Sequence, residues 1–392
     1  MRSTVAVPIV FGAGLLLAAC ADQSPIAPAP VAPPTPGFQV LPSGSQVVEG
    51  VTGPGALYAL FRPPVWNGEL VLYAHGYRDP ALPPALPDVN GLPDLLLGMG
   101  FGLAYSSFAE TGFAVKDGAI RTHQLPGIYA AHFGPPRRTY VAGHSLGGMI
   151  SLYLTEKFPG TYAGALPLCT FVGGSTRQIE YVSDVRAVFD VHFPGVIRGN
   201  VLEVPRGLDF VTAVQPPVLA ALSANPGAAA SVAHVDQIRM QYGTPAELAT
   251  AILRPLFYQV AGTNDLLERT HGHTPVDNTG TVYTGSFDDA LLNARIQRYV
   301  SAPDAERYLE NYYEPSGKLK IPVLTMHTTA DPDLPFFHEA LFAARVAAAG
   351  SSDNLVQRSV DRFGHCNFTL AEHLAAFSDL LTWVHTGVRP AP

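Results

Sequence analysis

Thr139-Tyr140-Val141-Ala142-Gly143-His144-Ser145-Leu146-Gly147-Gly148 decides how this chain is read. A short run of strand-forming residues enters a Gly-x-Ser-x-Gly turn, and Met149 to Phe158 continue as a helix that stops at Pro159. Strand, tight turn and helix are the setting in which a serine is presented as a nucleophile. The glycines have a steric reason: the serine sits in a strained turn, and side chains at 143 or 147 would crowd the neighbouring strand and helix. Ser145 would then project its hydroxyl above a sheet at a helix N-terminus, where backbone N–H groups favour developing negative charge.

A serine hydroxyl is a poor nucleophile at neutral pH, so a histidine base and an acid to orient it are needed. Ile321 to Met326 reads as a strand and leads through His327 to Asp331-Pro332-Asp333-Leu334-Pro335. Asp331 falls at the C-terminal end of that strand, where open α/β sheets hold their ligands. Asp333 competes for the role but is suited to capping the following helix. Asp265 also sits in a polar turn-like stretch, without a clear strand before it. Of 13 histidines, His365 stands out: a strand from Val356 to Val360 delivers the loop Asp361-Arg362-Phe363-Gly364-His365-Cys366 just before the last helix. His271 and His273 have the spacing of a metal pair but lack a carboxylate or cysteine cluster, so they read as a polar loop. His144 is read as a packing neighbour of the serine.

Two donors are needed for an oxyanion. The Leu146 amide, next to the nucleophile, is one; the Tyr77 amide is the other, with His75 and Gly76 shaping the turn after the strand Glu69 to Ala74. An ordinary strand-to-loop junction is the alternative at Tyr77.

Further strands read as Ala56 to Phe61, Gly102 to Ser107 and Ala165 to Cys169, alternating with helical stretches, which argues for an α/β fold with a mostly parallel sheet. The last helix is the best marked. Thr369 and Glu372 form a capping box, Leu370, Leu374, Phe377, Leu381 and Val384 a stripe, and Gly387 a stop. Another follows Pro335 through Phe337, Leu341, Phe342 and Val346. Residues 170–320 change texture to helices rich in aromatic residues (among them Phe189, Phe257, Tyr258 and Tyr308), read as an inserted helical cap, with more core as the alternative.

His75-Gly76, the Gly143 to Gly147 turn, Asp331 and Gly364-His365, in that order, resemble the α/β-hydrolase superfamily from about Leu57 to the C-terminus. The resemblance implies a mostly parallel sheet with helices on both faces, a core of 41–169 and 321–392, and the cap between. It also implies a Ser145-His365-Asp331 triad and ester hydrolysis through an acyl-enzyme, with no metal or organic cofactor. A serine peptidase of prolyl-peptidase type is the alternative enzyme, and a non-catalytic surface binding module the alternative of another class. The expected partner is a small-molecule or polymeric ester; the aromatic cap suggests an apolar or aromatic group on it. Cys169 and Cys366 would meet at one edge of the sheet, a disulfide in an exported protein, with two separate buried thiols as the alternative. Feruloyl esterases and tannases also carry a cysteine after the catalytic histidine, but theirs pairs with one just before the serine, where this chain has His144.

The 392 residues suffice for a large core, and 47% are apolar. Only 14% are charged, against about 25% in a typical soluble protein. The 37 glycines and 36 prolines promise many loops. A net charge of −8 without a basic block argues against a nucleic-acid partner. Arg2, an apolar run from Val5 to Leu17, and Leu17-Ala18-Ala19-Cys20 outline a signal peptide over 1–19 that resembles a bacterial lipobox, with Cys20 as lipid anchor. A Pro/Ala-rich tether over 20–40 would follow. The expected location is outside the cytoplasm, as a membrane-anchored lipoprotein (periplasmic or at the cell surface) or otherwise secreted.

Overall fold

The computed structural model describes residues 37–392 apart from positions 42 and 90. The expected leader, Cys20 and the tether up to residue 36 lie outside the described residues. Among the described residues nine strands form one sheet: β1 (Gly37–Val40), β2 (Gln46–Thr52), β3 (Ala56–Arg62), β4 (Glu69–Ala74), β5 (Gly102–Ser106), β6 (Arg138–His144), β7 (Gly164–Leu168), β8 (Val323–Ala330) and β9 (Leu355–Phe363). Their order is β1-β2-β3-β5-β4-β6-β7-β8-β9; the first four are antiparallel neighbours and every pairing from β5 onward is parallel.

Parallel strands need both faces covered, and the period of two along each strand shows it. In β4, Leu70, Leu72 and Ala74 join one apolar cluster, whereas Val71 joins another. The first cluster lies under α2 (Val115–Phe133), α3 (Leu146–Lys157) and α10 (Phe337–Ala348); the second lies under α1 (Leu92–Gly98) and α11 (Leu370–Thr386). Between β7 and β8 come α4 (Ser175–His192), α5 (Gln215–Ala224), α6 (Pro226–His234), α7 (Pro245–Arg269), α8 (Asp289–Arg295) and α9 (Pro303–Tyr313), with a π-helical turn over Phe210–Val214. Helices α4 to α8 enclose a third apolar cluster built on Val185, Phe189, Val232, Ile252, Leu256 and Tyr299. Sheet and inserted helices belong to one compact unit. No helix of the described residues is long and apolar enough to cross a membrane.

Four details differ from the sequence reading. Residues 37–40, assigned to the tether, are an edge strand, because their backbone pairs with Gln46–Glu49. Strand β2 escaped notice because Glu49 and Gly50 interrupt its apolar pattern. Helix α9, assigned to the cap, packs Leu309, Tyr308 and Tyr312 onto the cluster under α2 and α3. The capping box at Thr369 and the left-handed Gly387 are present, but the buried face of α11 is Ala376, Phe377, Leu380 and Trp383, and Leu370 is exposed.

In α10 Phe342 and Val346 are fully buried as expected, whereas Leu341 is 40% exposed. Phe342→Ala should therefore destabilise the protein by about 3–5 kcal/mol in urea unfolding. Leu341→Ala should stay within about 0.5 kcal/mol of the parent.

Candidate active site

Strand β6 ends at His144, and Ser145 turns the chain with φ 56° and ψ −125° into α3. This left-handed conformation is rare for a residue with a side chain. Glycine is required on both sides: a Cβ at 143 would run into the Gly147 carbonyl, and one at 147 into the carbonyl of Ala74. The Ser145 amide donates to the Leu168 carbonyl at 2.9 Å, tying the turn to β7.

The chain leaving β4 passes close to the serine. A Cβ at Gly76 would lie 3.4 Å from Ser145 Cβ. His75 fixes this loop by stacking on the Phe108 ring at 3.9 Å and placing Nδ1 2.7 Å from the Gly76 carbonyl. Among the described residues neither the Tyr77 nor the Leu146 amide has an acceptor, so both remain able to donate to a developing oxyanion.

Asp331 follows β8 directly and is buried. Its Oδ1 accepts the amides of Asp333 (2.8 Å) and Leu334 (3.0 Å), and its Oδ2 lies 2.8 Å from His365 Nδ1 and 3.3 Å from His327 Nε2. Burial pushes this carboxyl up, but the charges and hydrogen bonds of His365 and His327 outweigh it and hold it well below the usual carboxylate range. His365 is opposed in its charged form by burial, yet Asp331 raises it above its ordinary value. Asp333 is committed elsewhere: Arg254 Nε (2.7 Å) and Tyr258 Oη (2.7 Å) donate to its carboxylate, which is fully buried.

The His365 loop is anchored three ways. The Gly364 amide donates to Ala330 O at 3.0 Å, Thr328 Oγ1 donates to Gly364 O at 2.6 Å, and Cys366 is bonded to Cys169, 197 positions away, with Cα atoms 5.2 Å apart. A register shift in the β8/β9 pairing between Thr328 and Ala330 bends β9 just before the loop. His365 Nε2 lies 3.4 Å from Cys366 Sγ, and among the described residues no hydrogen bond joins it to Ser145 Oγ. Such contacts are often long until substrate tightens them. His365, Cys169 and Cys366 cluster closely enough to suggest metal ligands, but the sulfurs are bonded to each other and offer no thiolate.

The remaining candidates sort out by their partners. His144 Nε2 lies 2.9 Å from His373 Nε2, and burial, aided by the charge on His373, holds His144 down at about 3. His273 pairs with Asp304 at 2.9 Å on the surface, after α7. Asp265 belongs to α7 and accepts the Phe113 amide at 2.7 Å, which ties the cap to the loop before α2. Sequence reasoning missed His327 and Glu339. Both are buried, with His327 Nδ1 3.3 Å from Glu339 Oε1, and the Asp331 and Glu339 carboxylates together overcome the effect of burial and raise His327 to about 10. A signal was present: Thr325 and His327 are polar at alternate positions of an otherwise buried strand.

No protein-family model matches the chain, and no curated protein does. Among solved structures it is similar to an esterase from Aspergillus oryzae, at 15% identity over 88% of this chain and 80% of that one, with a TM-score of 0.52. It is similar also to feruloyl esterase B from Aspergillus oryzae, at 13% identity over 88% and 81%, with a TM-score of 0.52. At these identities the likeness is one of fold: the chain has the α/β-hydrolase fold.

The covalent link to Cys169 closes a long loop in the unfolded chain. Cys169→Ala combined with Cys366→Ala should lower stability by about 2–5 kcal/mol in guanidinium unfolding. Hydrogen exchange should speed up at 364–366 in the same variant.

Proposed function

We propose that the protein is an exported serine hydrolase that cleaves carboxylic esters through Ser145, His365 and Asp331. The observation that carries this reading is the left-handed Ser145 at the head of α3, placed at the same end of the parallel sheet as the buried Asp331–His365 pair. In the proposed sequence Ser145 Oγ attacks the ester carbonyl while its proton passes to His365 Nε2. Asp331 holds Nδ1–H and stabilises the imidazolium, and the Tyr77 and Leu146 amides take up the oxyanion. Collapse of the tetrahedral species breaks the C–O bond to the alcohol, which leaves with the proton from His365. Water then attacks the acyl-serine with the same base, releasing the acid and restoring Ser145.

Export is supported by the leader-like first 19 residues and by the Cys169–Cys366 disulfide, a bond at home in oxidising compartments. We read Cys20 as the lipid anchor. Cys20→Ala should move the protein from the membrane to the soluble fraction in a host that processes lipoproteins.

The direct test is turnover of p-nitrophenyl esters beside aminoacyl p-nitroanilides. Ser145→Ala should lose ester turnover by at least about 10³-fold and lose fluorophosphonate labelling. If the parent reacts with neither panel nor the label, the reading fails; cleavage of the anilides alone would make the protein a peptidase. The base must be neutral to act and Asp331 raises His365, so kcat/KM should climb with pH through an apparent pKa above the ordinary imidazole value. Asp331→Asn should move that limb to lower pH and cut the rate by about 10⁴-fold.

A further inference from the structure

The cavity that reaches Ser145 has a volume of about 100 Å³. Phe113, Phe171, Ile179, Val182, Leu266 and Leu334 form its apolar walls, contributed by the loop before α2, the turn after β7, helices α4 and α7 and the acid turn. No charged side chain lines it among the described residues. Most of its polar lining is already committed. Gln178 donates to the Asp333 carbonyl at 3.0 Å, Gln259 accepts from Arg186 at 2.8 Å, and the Thr263 hydroxyl donates to the Gln259 carbonyl at 2.6 Å.

The Tyr77 side chain differs from these. Its hydroxyl is buried and, among the described residues, has no hydrogen-bond partner. The Tyr258 ring packs edge-on against it with centroids 5.4 Å apart, and a Cβ at Gly262, another wall residue, would lie 3.5 Å from that hydroxyl. A buried donor left unmade is costly, and such groups are normally satisfied. Tyr77 is itself a wall residue of the cavity, so a group bound there is the candidate acceptor.

Orientation follows from what the walls omit. They include Ser145 and Leu146 but not His365. In ester cleavage the leaving alcohol must lie toward the histidine that protonates it, so the group away from His365 is the acyl part. We propose that this cavity binds the acyl group and takes an uncharged, mainly apolar acyl chain of about four to six carbons carrying one hydrogen-bond-accepting oxygen for the Tyr77 hydroxyl. The size follows from comparison with an engineered cavity of about 150 Å³ that holds benzene. The neutrality follows from the absence of a counter-charge, since a carboxylate or ammonium there would lose its hydration unpaired. The inference rests on the serine-hydrolase reading and adds the class of substrate to it.

The test keeps the p-nitrophenyl leaving group fixed and varies the acyl group: acetate, butyrate, hexanoate, 5-oxohexanoate, palmitate and the succinate half-ester. Expected kcat/KM rises about tenfold from acetate to hexanoate, is higher again for 5-oxohexanoate, and falls about tenfold at palmitate. The charged half-ester should lie about 100-fold below butyrate. In Tyr77→Phe the ratio of 5-oxohexanoate to hexanoate should drop about tenfold, a comparison in which any change at the Tyr77 amide cancels. In Val182→Trp the optimum should shift to acetate. A flat length profile, equal turnover of the half-ester, or an unchanged ratio in Tyr77→Phe would overturn the proposal. Titration of Ser145→Ala with hexanamide separates this inference from the reading beneath it. Saturable binding that Val182→Trp removes supports the cavity as the site even where no ester is cleaved, and no binding overturns it.

Discussion

A carboxylate taken out of water organises this end of the molecule. Asp331 is buried at the end of β8, and an ion in that position is tolerated only when its oxygens are fully met. Two backbone amides of its own turn take Oδ1, and two histidines approach Oδ2. One of those histidines makes a further demand. His327 needs Glu339 on its other nitrogen, and Glu339 in turn accepts from the Thr325 hydroxyl at 2.7 Å. The polar network therefore runs from α10 through β8 to the loop after β9. Removing any one member would leave a buried charge or donor without its partner.

The serine is positioned by different means. Sterics rather than charge hold it: the two glycines of the turn press backbone against backbone, and the Ser145 amide borrows the last carbonyl of β7. The next residue along that strand is Cys169. Its bond to Cys366 thus links the edge that supports Ser145 to the loop that carries His365. Both cysteines have positive φ, 43° and 51°, a region that residues with side chains rarely adopt. The crosslink holds a backbone path that local preference alone would not choose.

What could be read from the sequence follows from this division. The serine turn was legible because its glycines are a local steric requirement, written in five consecutive residues. Asp331 is the expected acid over Asp333 for its place at a strand end, but what occupies Asp333 lay out of reach. Asp333 is paired with Arg254, 79 positions away and on a cap helix. Pairings of that kind leave no local mark. The rotation of α11 by about one residue, like the outward side of Leu341 in α10, has the same origin: several apolar residues suit either face, and packing against the sheet selects one. The edge strand β1 exists only through its pairing with β2, and a short segment beside a proline-rich stretch carries no pattern of its own. His327 was in principle readable, since a polar residue repeated at every second position in a buried strand demands buried partners.

The Arg254–Asp333 pair also constrains how the cap behaves. Asp333 is fully buried, so lifting α7 at Arg254 would strand a carboxylate without its counter-charge, an arrangement that costs far more than breaking a surface ion pair. Farther along the same helix, Asp265 accepts the Phe113 amide while Arg269 donates to Thr111 O at 2.8 Å and pairs with Glu110. Helix α7 is thus pinned to the acid turn at one point and to the loop before α2 at another, with Tyr258 and Leu266 of the cavity wall lying between or beside these anchors. These anchors hold the cavity wall beside Ser145 in place from both ends. If the proposed reading holds, that wall would select substrate by its shape and by offering no counter-charge to a charged acyl group.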